Sequence, residues 1–97
     1  MPWRAQFEWD RESARASLRR HGVDLADAAL VFEDERALAM ADRLAAVGER
    51  RLVTLGRDGL GRVLVVAYAR RGDRVRLLSA RKATPAELSR YRAPVER

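Results

Sequence analysis

Cysteine is absent from the 97 residues, which excludes disulfides, thiolate-bound zinc and thiol catalysis. No apolar run approaches the roughly 20 residues that a helix needs to cross a bilayer, so no membrane association is expected. The N-terminus, Met1-Pro2-Trp3-Arg4, runs straight into charged sequence without the apolar core of a secretory signal, and the expected location is the cytoplasm. Histidine and lysine occur once each, as His21 and Lys82. Acidic pairs such as Glu33-Asp34 therefore have no histidine partners with which to hold a metal, and neither a metal nor another cofactor is expected. Repeats, low-complexity stretches and linkers are also missing. At this length the chain reads as one domain spanning residues 1–97.

What is present is apolar content and charge, 47% hydrophobic and 35% charged residues, the profile of a folded chain rather than a disordered one. The charge is uneven. Residues 1–61 carry ten basic and eleven acidic side chains, whereas residues 62–92 carry nine basic ones against only Asp73 and Glu87, a net of +7. A single-sign segment of this kind suits a polyanion. Nineteen of the 20 basic residues are arginine, so some of this reflects a general preference for arginine at solvated positions.

The pattern of elements is strands with helices at both ends. Phe7 and Trp9 alternate with Glu8, as in a short strand. Asp10 reads as the cap of a helix over Arg11 to Arg20 with Ala14 and Leu18 on one face, and His21-Gly22 as its end. Asp24 caps a second helix with Leu25, Ala28, Ala29 and Phe32 as its stripe, and Glu33-Asp34-Glu35 stops it against the helix dipole. Strands are expected over Ala37 to Leu44, Arg51 to Leu55, Val63 to Ala69 and Val75 to Ala80, with turns at Arg57 to Gly61 and Arg71 to Asp73. The continuous apolar run from Val63 suggests a central strand covered on both faces. Thr84-Pro85-Ala86-Glu87 is a capping box that starts a last helix, with Leu88 and Tyr91 on one side. The fold class is α+β, with an antiparallel sheet.

Alternation along the last strand sets Arg74, Arg76, Leu78 and Ala80 on one side and Val75, Leu77, Ser79 and Arg81 on the other; the pattern leaves open which side is buried. Arg70 and Arg71 end the preceding strand, across a hairpin from Arg74.

Several stretches resemble one family. They are Phe7-Glu8-Trp9-Asp10, His21-Gly22-Val23, Gly48-Glu49 with Arg51, and Arg76-Leu77-Leu78-Ser79-Ala80-Arg81-Lys82-Ala83-Thr84 with Glu87 and Tyr91. Together they are similar to the BrnT-type toxins of bacterial type II toxin–antitoxin systems, from Phe7 to about Tyr91. The chain departs from the usual pattern at Ser13, Ser17, Arg20 and Ala69. The resemblance implies a single RelE-like domain and an endoribonuclease that blocks translation. It also implies a cognate antitoxin with a ribbon-helix-helix DNA-binding part, two toxins with two antitoxins, and contact with operator DNA only through the antitoxin.

A metal-independent ribonuclease must take the proton from a ribose 2′-hydroxyl, stabilise charge on the phosphoryl oxygens and protonate the leaving 5′-oxygen. Arginine forks match phosphate oxygens, and histidine is the side chain suited to proton transfer near neutrality. The expected catalytic residues are Arg71, Arg76, Arg81, Lys82, His21 and Tyr91, with Arg70, Arg74 and Ser79 contacting RNA. Arg71, Arg76, Arg81 and Lys82 are expected to line one concave surface between the last hairpin and the last helix, with Tyr91 and His21 at its edge. Plainer readings stand beside these. His21 can be a cation at a helix C-terminus, Trp9 and Tyr91 packing residues, and Asp10 only a cap. Two other functional classes fit the basic segment 62–92: a non-catalytic nucleic-acid-binding module, and a surface that only binds an acidic antitoxin.

Overall fold

The computed structural model describes residues 6–40 and 51–93. Among these residues five strands form one sheet in the order β1-β5-β4-β3-β2: β1 (Gln6–Glu8), β2 (Leu38–Met40), β3 (Arg51–Arg57), β4 (Val63–Arg71) and β5 (Arg74–Lys82). β1 runs parallel to β5, and the other pairs are antiparallel. The helices are α1 (Arg11–His21), α2 (Leu25–Ala28) and α3 (Pro85–Arg92), and the α+β class expected from the sequence is the class observed.

Local chemistry explains the helix ends. Asp10 accepts the Ser13 amide at 2.6 Å, and Gly22 takes the left-handed conformation at φ 68° that a side chain disfavours. The box before α3 is complete, with Thr84 Oγ1 accepting the Glu87 amide and Glu87 accepting the Thr84 amide. α1 is rotated from the expected face. Ser17 is buried next to the half-buried Ala14, while Leu18 points to solvent, because Ser17 is the residue that bonds to the sheet edge. The second helix is a single turn that tightens into a 3₁₀ segment, Ala29–Glu33, with Val31 buried and Phe32 half-buried.

β3, β4 and β5 extend beyond the expected spans, since strand pairing carries charged ends that local hydropathy does not favour. Of the expected strand over Ala37 to Leu44, Leu38–Met40 is observed and the part after Met40 lies outside the described residues, as does Gly48-Glu49. At the β3–β4 turn, Asp58 is buried and accepts the amides of Leu60 and Arg62 together with the Arg62 guanidinium.

The core lies on both faces of the sheet, unequally. Val23, Leu25, Ala28 and Val31 close over Leu64, Val66, Val75, Leu77 and Ala80 on one side. On the other, Tyr91 of α3 closes with Val53, Leu55 and Val65 over the β3 end. β4 is thus covered on both faces only along its first half. Beyond Val66 it is part-exposed, and the surface through Ala67, Ala69 and Arg71 is open.

Strict alternation fails in β5. Ala67 pairs with Ser79 and Tyr68 with Leu77, so Leu78 is an extra residue, a bulge. Val75, Leu77 and Ala80 consequently share the buried side. The two-face division drawn from the sequence holds only up to Leu77: Arg74, Arg76, Ser79 and Arg81 all lie on the open side.

Candidate active site

The cross-strand partners Arg71 and Arg74, and Ala69 and Arg76, put three arginines around one small residue on the open face. Glu8, the parallel partner of Arg76 on β1, completes a depression of about 210 Å³ lined by Glu8, Ala69, Arg71, Arg74 and Arg76. Ala69 is its floor, short enough to leave the space between the forks.

The arginines differ in their bonding. Arg76 donates from Nη1 to Glu8 Oε2 at 3.0 Å and from Nη2 to Asp10 Oδ2 at 3.2 Å. Arg74 Nη1 lies 3.7 Å from Glu8 Oε1. Arg71 makes no hydrogen bond or ion pair with any described residue and projects into solvent. Asp10 works twice: one oxygen caps α1 and the other takes Arg76. Its carboxyl is held below the ordinary carboxylate range, first by the Ser13 amide and further by Arg76.

A second depression, of about 250 Å³, opens beside the first, between α1 and the bulged edge of β5. Asp10, Ser13, Ser17, Arg20, His21, Leu78 and Ser79 are among its lining residues. Because Asp10 lines it while bonding Arg76 of the first depression, the two are joined through that ion pair. His21 and Ser79 both line it although 58 positions separate them in the chain.

The remaining expected site residues are placed elsewhere, and the single concave surface expected from the sequence is corrected accordingly. Arg81 faces the open side but is bound end-on by Glu87, with Nη1 to Oε1 at 2.8 Å and Nη2 to Oε2 at 2.9 Å. Lys82 pairs with Leu64 and points to the helix-covered side, opposite to Arg81. Arg70 pairs with Val75 on that same side, and its Nε donates to the Gly72 carbonyl at 3.4 Å. Tyr91 is buried over the β3 end and donates to Asp34 Oδ2 at 2.6 Å. Burial and that acceptor both raise the Tyr91 phenol above its ordinary pKa, while Arg57 stands 5.9 Å from its ring centre. Trp9 packs against the core.

Glu8, and Asp10 as an ion-pair partner, were not singled out by the sequence. The signal was two carboxylates flanking Trp9, but only the parallel β1–β5 pairing shows that they reach Arg76.

The comparisons with known proteins agree with this architecture. Residues 9–87 match the family model described as the ribonuclease toxin, BrnT, of type II toxin–antitoxin systems. The crystal structure of the Brucella abortus ribonuclease toxin BrnT superposes with a TM-score of 0.65 at 23% identity, covering 84% of this chain and 99% of that one. No curated protein matches the sequence. With the family model spanning most of the chain, the protein belongs to the BrnT family of ribonuclease toxins of type II toxin–antitoxin systems.

Proposed function

We propose that the protein is an endoribonuclease that cleaves RNA without a metal ion and thereby blocks translation in the cytoplasm until a cognate antitoxin neutralises it. The observation that carries this reading is the placement of Arg71, Arg74 and Arg76 around one depression on the uncovered face of the sheet. Three guanidinium groups match a phosphodiester bidentately and supply the positive charge that a metal would otherwise bring. The two carboxylates nearest to them are paired with arginines, Glu8 with Arg74 and Arg76 and Asp10 with Arg76, rather than held apart for a cation.

In this reading the scissile phosphate lies against Arg71 and Arg76, with Arg74 and Ser79 along the flanking backbone. The ribose 2′-oxygen attacks phosphorus, the bond to the 5′-oxygen breaks, and a cyclic phosphate and a 5′-hydroxyl remain. His21 is the expected catalytic residue best placed to move a proton, since its depression joins that of the arginines. Arg81 acts through its ion pair with Glu87, which seats α3. Lys82 and Arg70 add positive field from the far face, and Tyr91 holds α3 down.

The antitoxin is proposed to be a ribbon-helix-helix protein, bound as two toxins with two antitoxins and alone responsible for contact with operator DNA. Leu18, Leu30, Leu52 and Leu60 remain exposed, and contact with them would make the complex more than an electrostatic one.

The test is incubation of the purified protein with RNA in EDTA. Cleavage that persists there and disappears with Arg76→Ala supports the proposal. Binding without cleavage identifies a non-catalytic module, and activity only after a divalent metal is restored overturns metal independence.

A further inference from the structure

We propose that Ser17 is a positioning residue for RNA cleavage, whose hydroxyl fixes the β5 bulge that carries Ser79 and Arg81 to the same face as Arg71, Arg74 and Arg76. The inference rests on the ribonuclease reading above and extends it to a residue that touches no substrate.

Four observations support it. First, β1 accompanies β5 only as far as Arg76, after which the chain turns through Asp10 into α1. Past that point, among the described residues, β5 has no strand on that side to accept its amides. Second, the Ala80 amide, on a fully buried residue, donates to Ser17 Oγ at 3.2 Å. A buried amide without an acceptor is strongly disfavoured, so Ser17 replaces the missing strand at this one place. Third, Ser17 is itself only 2% exposed. A hydroxyl on the buried side of an amphipathic helix displaces an apolar group, and Leu18 stands 55% exposed one position away. Fourth, the bonded amide is two residues past Leu78, the residue that the β4–β5 register leaves unpaired.

The consequence for the site is a change of side. Without the extra residue, alternation from Leu77 would turn Ser79 and Arg81 towards the helices and Ala80 outward. With it, Ala80 fills the core and Ser79 lies on the same face as Arg76, lining the depression that also holds His21. Arg71 on β4, and Arg74 and Arg76 on β5 before the bulge, keep their strand partners, so they bind phosphate whether or not the bulge is anchored.

Ser17→Ala and Ser17→Thr are compared with the parent protein, at a temperature where circular dichroism shows all three folded. In Ser17→Ala the Ala80 amide is expected to exchange its hydrogen at least tenfold faster. KM on a defined RNA is expected to rise about tenfold with kcat within twofold, because Ser79 contacts the flanking backbone while the arginines at the scissile phosphate are undisturbed. Ser17→Thr keeps the acceptor and is expected to restore both. Normal KM in a folded Ser17→Ala overturns the proposal, as does a fall in kcat alone or a loss that only tracks the folded fraction. A parent protein that cleaves no RNA overturns the ribonuclease reading and the catalytic half of this proposal. Exchange at Ala80 then decides the anchoring half, and an unchanged rate removes it too.

Discussion

Glu8 and Arg76 are parallel strand partners whose side chains meet at 3.0 Å, and the second nitrogen of the same guanidinium reaches Asp10 at 3.2 Å. One planar fork thus spans two carboxylates, ties β1 to β5 and is aimed across the depression. Arg76→Ala is expected to lower the rate of RNA cleavage by on the order of 10²–10³, the usual cost of removing a preorganised charge donor. Arg76→Lys is expected to recover little, since the compact ammonium has donors but not the planar fork that reaches both carboxylates while facing a phosphate. Both are read from single-turnover cleavage of folded protein. Full activity in Arg76→Lys would show that charge, not fork geometry, is what matters.

The ion pair of Arg81 and Glu87 predicts an acid-sensitive α3. Arg81 lowers the Glu87 carboxyl from its ordinary value of 4.5 to about 2, with the Thr84 amide adding to the effect. A carboxylate with a depressed native pKa stabilises the fold above its unfolded pKa, and that stability is lost as pH falls from about 4.5 through about 2. Glu87→Gln keeps an amide that can cap the helix but removes the charge. It is expected to cost about 1 kcal/mol at pH 7 and to flatten the pH dependence between 5 and 2. Thermal melts over that range measure both, and parallel curves for the two proteins would exclude the pair as the cause.

These two relationships differ in how far the sequence shows them. The capping box Thr84 to Glu87 lies within four residues, and the charged partner Arg81 is three residues upstream, so local reading finds α3 and its start. The hairpin of β4 and β5 is equally local, and it brings Arg71 to Arg74 as expected. What escapes is whatever depends on a distant partner. Nothing near Leu78 signals a bulge, because the missing strand and the substitute acceptor Ser17 lie some sixty positions away. Leu18 looked like a core residue for the same reason. Tyr91 was read as a packing or catalytic side chain, and its bond to Asp34 crosses 57 positions.

Tyr91 and Asp34 carry the third prediction. Asp34 accepts the Arg57 and Arg36 amides as well as the Tyr91 hydroxyl, and its carboxyl is held below the ordinary value by these bonds against the opposing effect of burial. Tyr91→Phe removes one hydrogen bond to a charged group and leaves the ring. A loss of about 1.5–3 kcal/mol is expected, a large fraction of the stability of a domain this small. RNA cleavage below the melting range is expected to stay within twofold. A tenfold loss in folded Tyr91→Phe would return the phenol to the catalytic group.

The last prediction separates arginines that touch RNA from cations that only contribute field. Arg71 is bound to no described residue, so a phosphate does not have to displace a partner from it. Lys82, equally charged, projects from the opposite side of the sheet. Binding to single-stranded RNA depends on salt with a slope of log K against log[salt] of about −0.7 per neutralised phosphate. Arg71→Ala is therefore expected to make the slope shallower by about 0.7 and to weaken binding at every salt concentration. Lys82→Ala removes the same formal charge but no phosphate contact. Its effect on binding is expected to be small, to vanish once the Debye length falls to about 3 Å near 1 M salt, and to leave the slope nearly unchanged. Titrations over a range of salt distinguish the two. Equal slope changes in both variants would mean that RNA wraps around the edge of the sheet, and the depression on the open face would then be only part of its path.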